Sequence, residues 1–365
     1  MPEYKIYTLH IRLLTPLHIG SGVTLLHEYD YAIRDGRTWR INDTALLDAQ
    51  DVDDPKLADQ LSRTPPVELL RQDDYQPDRP FFRYVIQGTP ASAAHGAQLQ
   101  EQIKDPFDRP YLPGSSLKGA IRTALAWHGW RIRGVQADPA RLGTRRQWAG
   151  LDFERQIFGR DPNHDLLRAL HVSDSEPLDA SALMVVNVRV LNRGGTFGSP
   201  IEVEALKPDT ALTARLKLDL ALFSDWAGKE ALPDDASKWL LSLAGIAQTH
   251  ARNRARRELT WFSQIPNGDR IAAFYEQLVN GQLESNQFLL QVGWGAGWGA
   301  KTLGMRLEKN QAFMEHVIST YRLARKKRQP GDPFPKSRRV AVIFGRDGEP
   351  RPVAPLGWAL VEIEP

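Results

Sequence analysis

The chain has 365 residues, of which 42% are hydrophobic and 25% charged, so it can bury a core of ordinary size and form two domains. It contains no cysteine, which excludes disulfides and thiolate metal sites, and no apolar run long enough to cross a membrane. The net charge is only +3, so binding to nucleic acid would depend on where the positive charge is concentrated. We expect a cytoplasmic protein without a membrane segment.

The N-terminal region predicts a strand followed by a polar turn. Apolar and polar residues alternate from Tyr4 to Leu14, which is typical of a half-buried strand. The polar segment after it supplies four candidate RNA-binding residues, His18, Gly20, Ser21 and Gly22. His18 could act as a general base toward an RNA 2′-hydroxyl, donate to a phosphate, or pack inside the protein, and packing is the commonest role of a lone histidine.

The segment Asp108–Trp130 predicts a turn that leads into a helix. Apolar residues recur every four positions from Leu117 to Leu125 and predict the buried stripe. Serines at the start favour a side-chain cap, while free N–H groups and two cations on another face predict an anion site. The candidate residues are Gly114, Ser115, Ser116, Lys118 and Arg122. An ordinary amphipathic helix with a solvated basic face would show the same pattern.

Positive charge is concentrated in three clusters. Five cations lie between Arg131 and Arg146, four between Arg252 and Arg257, and eight between Arg322 and Arg339. Each phosphate that such residues neutralise adds a salt-dependent increment of affinity, although such clusters are often only solvated helix faces.

A predicted strand that begins at residue 183 opens a second domain, which gives expected domains at 1–180 and 181–365.

The most unusual segment is a glycine-rich loop, QVGWGAGWGAKTLG, at residues 291–304. It follows an apolar run that predicts a buried strand. Because its glycines have no side chains, successive backbone N–H groups can face an anion. The lysine adds charge, and the tryptophans offer flat surfaces for nucleobases or, alternatively, pack onto the core. Its candidate RNA-binding residues are Gly293, Trp294, Gly295, Gly297, Trp298, Gly299 and Lys301. The spacing fits neither a Walker loop nor a dinucleotide-binding fingerprint.

Motifs for catalysis and metal binding are missing from the sequence. The nine histidines are scattered without HxxxH or HExxH pairs, and GxSxG does not occur. We therefore expect no metal, no cofactor and no catalytic residue.

Three of these motifs together resemble the RAMP superfamily of CRISPR-associated proteins. They are TLHIRLLTPLHIGSG, YLPGSSLKGAIRTAL and GWGAGWGAKT. Within that superfamily, the segments LLRALHVSDS, IEVEALKPDT and FPKSRRVAVIFGRDGEPRPVAPLGW resemble the fifth Csm subunit of type III-A effector complexes. The resemblance covers nearly the whole chain and is weakest at residues 45–105 and 130–160.

The resemblance implies an α+β fold of RAMP type, with two ferredoxin-like (RRM-like) domains that carry helical and loop insertions. It implies a non-catalytic subunit that binds the guide RNA (crRNA), caps its 3′ end and supports its maturation in antiviral defence. The implied partners are the 3′ portion of the crRNA, the neighbouring backbone and small subunits of the Csm complex, target RNA nearby and host nucleases. His18 matches the histidine in the first-strand turn of relatives, whereas the thumb-loop aspartate of the backbone subunit matches no residue here.

Three alternatives stay open on the sequence alone. The protein could be a metal-independent RAMP endoribonuclease that uses His18. It could be a sibling RAMP subunit of another type III complex. It could also be an assembly protein that contacts neighbouring subunits more than RNA.

Overall fold

A computed structural model describes residues 4–50, 59, 63–324 and 328–365. The strands are β1 (Tyr4–Leu13), β2 (Gly20–Leu26), β3 (Tyr31–Arg34), β4 (Arg37–Ile41), β5 (Phe82–Gln87), β6 (Gln98–Gln102), β7 (Leu170–Val172), β8 (Leu183–Asn192), β9 (Phe197–Leu206), β10 (Ala211–Asp219), β11 (Gln287–Gln291), β12 (Ser337–Phe344), β13 (Pro350–Ala354) and β14 (Trp358–Glu364). The α-helices are α1 (Asp43–Asp48), α2 (Gly114–Ile132), α3 (Leu151–Phe158), α4 (Asp234–Leu241), α5 (Leu243–Phe262), α6 (Asp269–Asn280), α7 (Trp298–Lys301), α8 (Gly304–Leu307) and α9 (Gln311–Thr320). Across the described ranges, none of these helices has the length and apolarity needed to span a bilayer.

Strand β1 lies in the middle of a five-stranded antiparallel sheet with the order β11–β14–β1–β10–β7. It pairs with β10 on one side and with β14 on the other. Leu9, Ile11 and Leu13 are at most 2% exposed, so the alternation predicted for this strand is confirmed. Strand β11, which leads into the glycine-rich loop, is held at one edge of the same sheet by β14.

A second sheet of nine strands runs in the order β2–β6–β9–β8–β5–β4–β3, and β12 and β13 extend it from β8. The pairs β5–β8 and β6–β9 are parallel, and the other pairs are antiparallel. Each sheet contains strands from both sides of residue 180. The two sheets thus do not coincide with the expected domains 1–180 and 181–365, and that division stays a prediction.

The helices pack between and beside the sheets, and α5 is central among them because it contacts α2, α6 and β11. The predicted stripe on α2 is confirmed, since Leu117, Ile121 and Leu125 are fully buried. The chain breaks at Ser242 between α4 and α5. The predicted α+β fold class is confirmed.

Candidate nucleic-acid interface

His18 lies inside the protein, not at its surface. Its side chain is 3% exposed, and Nδ1 lies 2.6 Å from the backbone carbonyl oxygen of Glu204, to which it donates. Burial lowers the pKa of His18 to about 4, so the ring is neutral at pH 7. Of the three roles open on the sequence, packing is the one that this geometry shows.

The glycines after His18 do not form a turn as predicted, because Gly20, Ser21 and Gly22 belong to strand β2 at the edge of the larger sheet. All three residues are exposed. The Ser21 hydroxyl donates to Glu101 over 2.7 Å, so a carboxylate already occupies its donor. Gly22 has a φ of 94° in open space, where the strand pairing is irregular. The Ser21 hydroxyl is therefore not a free donor for a ligand, whereas the backbone at Gly22 is open.

The glycine-rich loop is attached to the His18 segment. The backbone N–H of Trp294 donates to the carbonyl of His18 over 2.8 Å. Gly293, Gly295 and Gly297 have φ values of 80°, 83° and 82°, a region that favours glycine. A Cβ at Gly293 would lie 2.5 Å from the His18 carbonyl oxygen, so this close approach requires glycine. The structure thus brings together two of the three predicted motifs.

Trp294 and the two exposed cations Lys301 and Arg339 lie at or beside the glycine-rich loop. The Arg339 guanidinium lies 4.7 Å from the centre of the Trp294 ring, and the other contacts of that ring are with His18 and the core. Lys301 is exposed on the short helix that ends this loop, and its partial burial, together with the charge of Arg339, lowers the pKa of Lys301. In the described part of the chain, no carboxylate lies within 4 Å of either cation. Trp294, Lys301 and Arg339 are called the mouth patch below.

Trp298 is half-buried, in contrast to the exposed Lys301 on the same short helix, and its ring packs against the protein. Its Nε1 is fully buried, without a hydrogen-bond partner among the described residues, and its ring meets Phe334 edge to face with centres 5.2 Å apart. The ring covers Gly304, where a Cβ would overlap it. Trp298 therefore braces the loop against the residues before β12.

The helix predicted to offer free N–H groups begins differently from the prediction. Gly114 is the first residue of α2, and Pro113, which cannot cap with its side chain, stands at the N-cap. The Gly114 N–H donates to the Asp174 carboxylate over 2.7 Å. Ser115 is exposed and Ser116 half-buried, and neither caps the helix. The predicted serine cap is wrong, and part of the predicted anion site already holds a carboxylate of the protein itself.

The two cations of α2 lie in a different pocket, of about 520 Å³, whose lining includes several carboxylates. Arg122 pairs with Glu154 at 2.7 Å and with Asp165 at 3.0 Å, and its guanidinium covers Phe158 at 4.3 Å. Lys118 lines the same pocket, and burial lowers its pKa. The structure thus keeps Lys118 and Arg122 apart from the mouth patch and gives Arg122 a packing role.

A groove of about 1,120 Å³ runs beside the glycine-rich loop, between the β8–β9 hairpin, α5 and the start of β12. Gly295, Gly297 and Gly299 line it from the loop side. Its cationic lining residues are Arg254, Arg257, Arg328, Lys336, Arg338 and Arg339. Glu258 is the one carboxylate among the described residues that line it, but carboxylates pair with four of the six cations: Glu308 with Arg257, Glu315 with Arg328, Asp332 with Lys336 and Glu258 with Arg338. Arg339 is exposed and has no carboxylate within 4 Å among the described residues, so it supplies the accessible positive charge of this wall.

The floor of this groove is a buried charge network on α5. Arg254 is 3% exposed; its Nε donates to the Gln291 side chain over 2.8 Å and its Nη2 to the Ala296 carbonyl over 2.7 Å. Burial alone would raise the pKa of Glu258, but Arg338, which binds it through two hydrogen bonds of 2.6 and 3.2 Å, lowers that pKa below its usual range. Arg254 therefore ties the glycine-rich loop to the central helix.

The positive clusters at 252–257 and 322–339 are evident in the sequence, but none of their residues is among the predicted RNA-binding residues. Arg254 and Arg339 are the two most informative omissions. Arg254 lies four residues before Glu258 and three after Ala251, on the mostly small and apolar face of α5 that also carries Glu258. An arginine on such a face, one helical turn from a carboxylate, is the sequence signal for a buried arginine. Residues 325–327 of the second cluster lie outside the described residues.

The described ranges contain no group of three or more histidine, aspartate or glutamate residues placed to hold a metal ion. The scattered histidines of the sequence are therefore not gathered by the fold within those ranges.

Sequence comparison shows the family to which this chain belongs. The family model of the RAMP superfamily matches residues 10–300, and the chain belongs to that superfamily. Its curated relatives are Csm5 proteins of CRISPR systems. The Csm5 of Streptococcus thermophilus is 24% identical over 339 residues, which cover 82% of this chain and 81% of the relative. The Csm5 of Mycobacterium tuberculosis is 32% identical over 135 residues, 33% of this chain and 36% of the relative.

Solved structures show the same fold. The crystal structure of T. onnurineus Csm5 has a TM-score of 0.67 at 22% identity, over 96% of this chain and 99% of that one. A chain of a type III-A Csm–crRNA–target RNA ternary complex has a TM-score of 0.65 at 24% identity, over 98% of this chain and all of that one. The expected RAMP-type fold is confirmed.

Proposed function

We propose that this protein is a non-catalytic subunit of a type III-A Csm complex that binds the 3′ portion of the crRNA in the groove beside the glycine-rich loop. The observation that carries the proposal is the mouth patch beside this groove, in which Arg339 lines the groove, is exposed and has no carboxylate within 4 Å among the described residues. RNA backbones need this combination of exposed cations, and a tryptophan face beside them suits a base or ribose. The relatives support the setting, because they are Csm5 proteins and one structural neighbour belongs to a Csm–crRNA complex.

Capping of the crRNA 3′ end, support of its maturation and docking of neighbouring subunits follow from the resemblance and belong to the same proposal. Recruitment of host nucleases and cytoplasmic location belong to it as well. A sibling subunit of another type III complex would share the groove but not the similarity to Csm5 over 82% of the chain.

The ribonuclease alternative receives no support from the site. A general base must come within hydrogen-bond reach of the hydroxyl that it deprotonates. His18 is 3% exposed, and its Nε2 faces the backbone at Gly20, where a Cβ would already lie 3.2 Å away. An RNA 2′-hydroxyl cannot reach the ring without rearrangement of the strand edge.

Removing the two exposed charges of the mouth patch should weaken RNA binding. We expect Lys301→Gln with Arg339→Gln to lower the affinity for single-stranded RNA about tenfold at 0.15 M salt, because two phosphate contacts are lost. The slope of log affinity against log salt should fall by about 1.4 in magnitude for the same reason. Fluorescence anisotropy across a salt series measures both quantities.

The matched control is Lys5→Gln with Arg79→Gln, which removes two exposed cations outside the groove. It should leave both the affinity and the salt slope nearly unchanged. Equal losses in the two double variants would show that only net charge matters and would contradict a specific groove.

A further inference from the structure

A second cationic pocket, of about 580 Å³, lies on the helical side of the molecule between α2, α5 and α8. Four cations line it: Arg131, Arg257, Arg306 and Lys309. Unlike the pocket of Lys118 and Arg122, it has no carboxylate among the described residues of its lining. Arg257 pairs with Glu308, but Arg131, Arg306 and Lys309 have no carboxylate within 4 Å among the described residues. Like charges that converge without a counter-ion destabilise the folded protein, so these three cations point to an external anion.

Arg306 is held rigidly in this pocket. Its Nε and Nη2 donate to the Trp127 carbonyl over 2.9 and 2.7 Å, and its guanidinium lies 3.9 Å from the centre of the Trp127 ring. Both Arg306 and Arg131 line the pocket, and burial and the charge of Arg131 lower the pKa of Arg306. The same two charges, after burial, lower the pKa of His128, which leaves a neutral imidazole in the wall.

One wall of the pocket is polar but uncharged. Thr249 and Asn253 lie one helical turn apart on α5, and both line the cavity. The Thr249 hydroxyl donates to the Gly245 carbonyl over 2.9 Å, and Nδ2 of Asn253 donates to the Thr249 carbonyl over 2.8 Å. These two bonds use the donors of the side chains, so the Thr249 hydroxyl oxygen and Oδ1 of Asn253 can still accept. The wall can thus bind the hydroxyl or amino groups of a ligand whose phosphate lies among the cations.

Arg257 connects this pocket with the RNA groove, since it lines both. It pairs with Glu308 through Nη2, while Nη1 is buried without a partner among the described residues. A strand that leaves the groove past Gly299 would meet the second pocket next, because a Cβ at Gly299 would lie 3.1 Å from Nη1 of Arg257.

We infer that this second pocket binds the phosphate of a nucleotide, with the nucleoside against the polar wall of α5. The nucleotide is either one residue of the RNA that occupies the groove, an assignment that rests on the function proposed above, or a free mononucleotide. The cavity has the size of a mononucleotide and the charge of a phosphate site.

The test uses the full chain with Arg131→Gln and Lys309→Gln, two exposed positions whose replacement leaves the Arg306–Trp127 contact intact. If the nucleotide belongs to bound RNA, this double variant should lose about tenfold in affinity for a 20-nucleotide single-stranded RNA at 0.15 M salt. If it is a free nucleotide, adenosine 5′-monophosphate should bind the wild type in calorimetry, adenosine should not, and the double variant should lose the binding.

The inference is overturned if the double variant binds RNA like the wild type and adenosine 5′-monophosphate does not bind. It is also overturned if the double variant releases a neighbouring protein from the assembled complex but keeps its binding of RNA and of adenosine 5′-monophosphate. A loss of RNA affinity in Lys301→Gln with Arg339→Gln alone would leave the groove proposal standing while this one fails. Unchanged RNA binding in both double variants would instead remove the groove proposal, and the calorimetric arm would then decide the pocket by itself. The Lys5→Gln with Arg79→Gln control corrects every arm for net charge.

Discussion

Replacement of Arg254 by methionine should destabilise the protein by about 3–5 kcal/mol, the usual cost of breaking a buried charged network. The substitution leaves the Gln291 side chain and the Ala296 carbonyl without their donor in the interior. It also removes one of the positive charges that keep the buried Glu258 ionised. The free energy of unfolding from urea denaturation measures the effect.

The neighbouring Arg256 provides a matched control, because it lies two residues further along α5 and is exposed. Arg256→Met should change the free energy of unfolding by less than about 0.5 kcal/mol. Because Arg254 also holds the glycine-rich loop through the Ala296 carbonyl, we expect a second result. A partly folded Arg254→Met protein should lose RNA affinity beyond its loss of one charge, since Ala296 is released. Equal stability of the two variants would contradict the role assigned to Arg254.

The second large effect is a loss of stability in acid that depends on His18. An unfolded histidine binds a proton near pH 6.5, whereas the pKa of folded His18 is lowered by burial to about 4. Unfolding therefore takes up a proton between these values, and stability falls as the pH falls. For His18 the expected loss between pH 7 and pH 5 is about 2 kcal/mol.

Other groups also titrate in this range, so the measurement is a difference between variants. His250, whose pKa burial lowers to about 3, adds a similar term of its own. His18→Gln should remove about 2 kcal/mol of the decrease between pH 7 and pH 5, and the exposed His316→Gln should remove almost none. If His18→Gln keeps the full acid sensitivity, the ring is not buried in neutral form.

Local sequence patterns predicted much of this fold because their causes are local. Alternation in β1 reports which face meets the core, and the fourfold spacing in α2 reports its buried stripe. The glycine-rich loop was also recognisable, since glycines at every second position after a buried strand indicate close backbone approach. These signals located the His18 segment and the loop, which the structure joins through the Trp294–His18 hydrogen bond.

The remaining features depend on partners far away in the chain. Asp174 occupies the start of α2 from 60 residues away, and Glu204 accepts from His18 across 186 residues. Neither contact has a sequence signal near the residue that it affects. Arg122 looked like a free cation for the same reason, because its partner Asp165 is 43 residues distant. Arg339 joins the site only because β12 pairs with β8 beside the loop.

The proposed role of the groove can be tested most directly in the assembled complex by site-specific crosslinking. A crRNA that carries 4-thiouridine at successive positions near its 3′ end would be irradiated in the complex, and the crosslinked peptides mapped by mass spectrometry. We predict crosslinks from this chain in the peptides that contain Gly293–Lys301 and Arg339. Crosslinks to neighbouring subunits at every one of these positions, with none to those two peptides, would contradict the account and favour a protein that serves assembly alone.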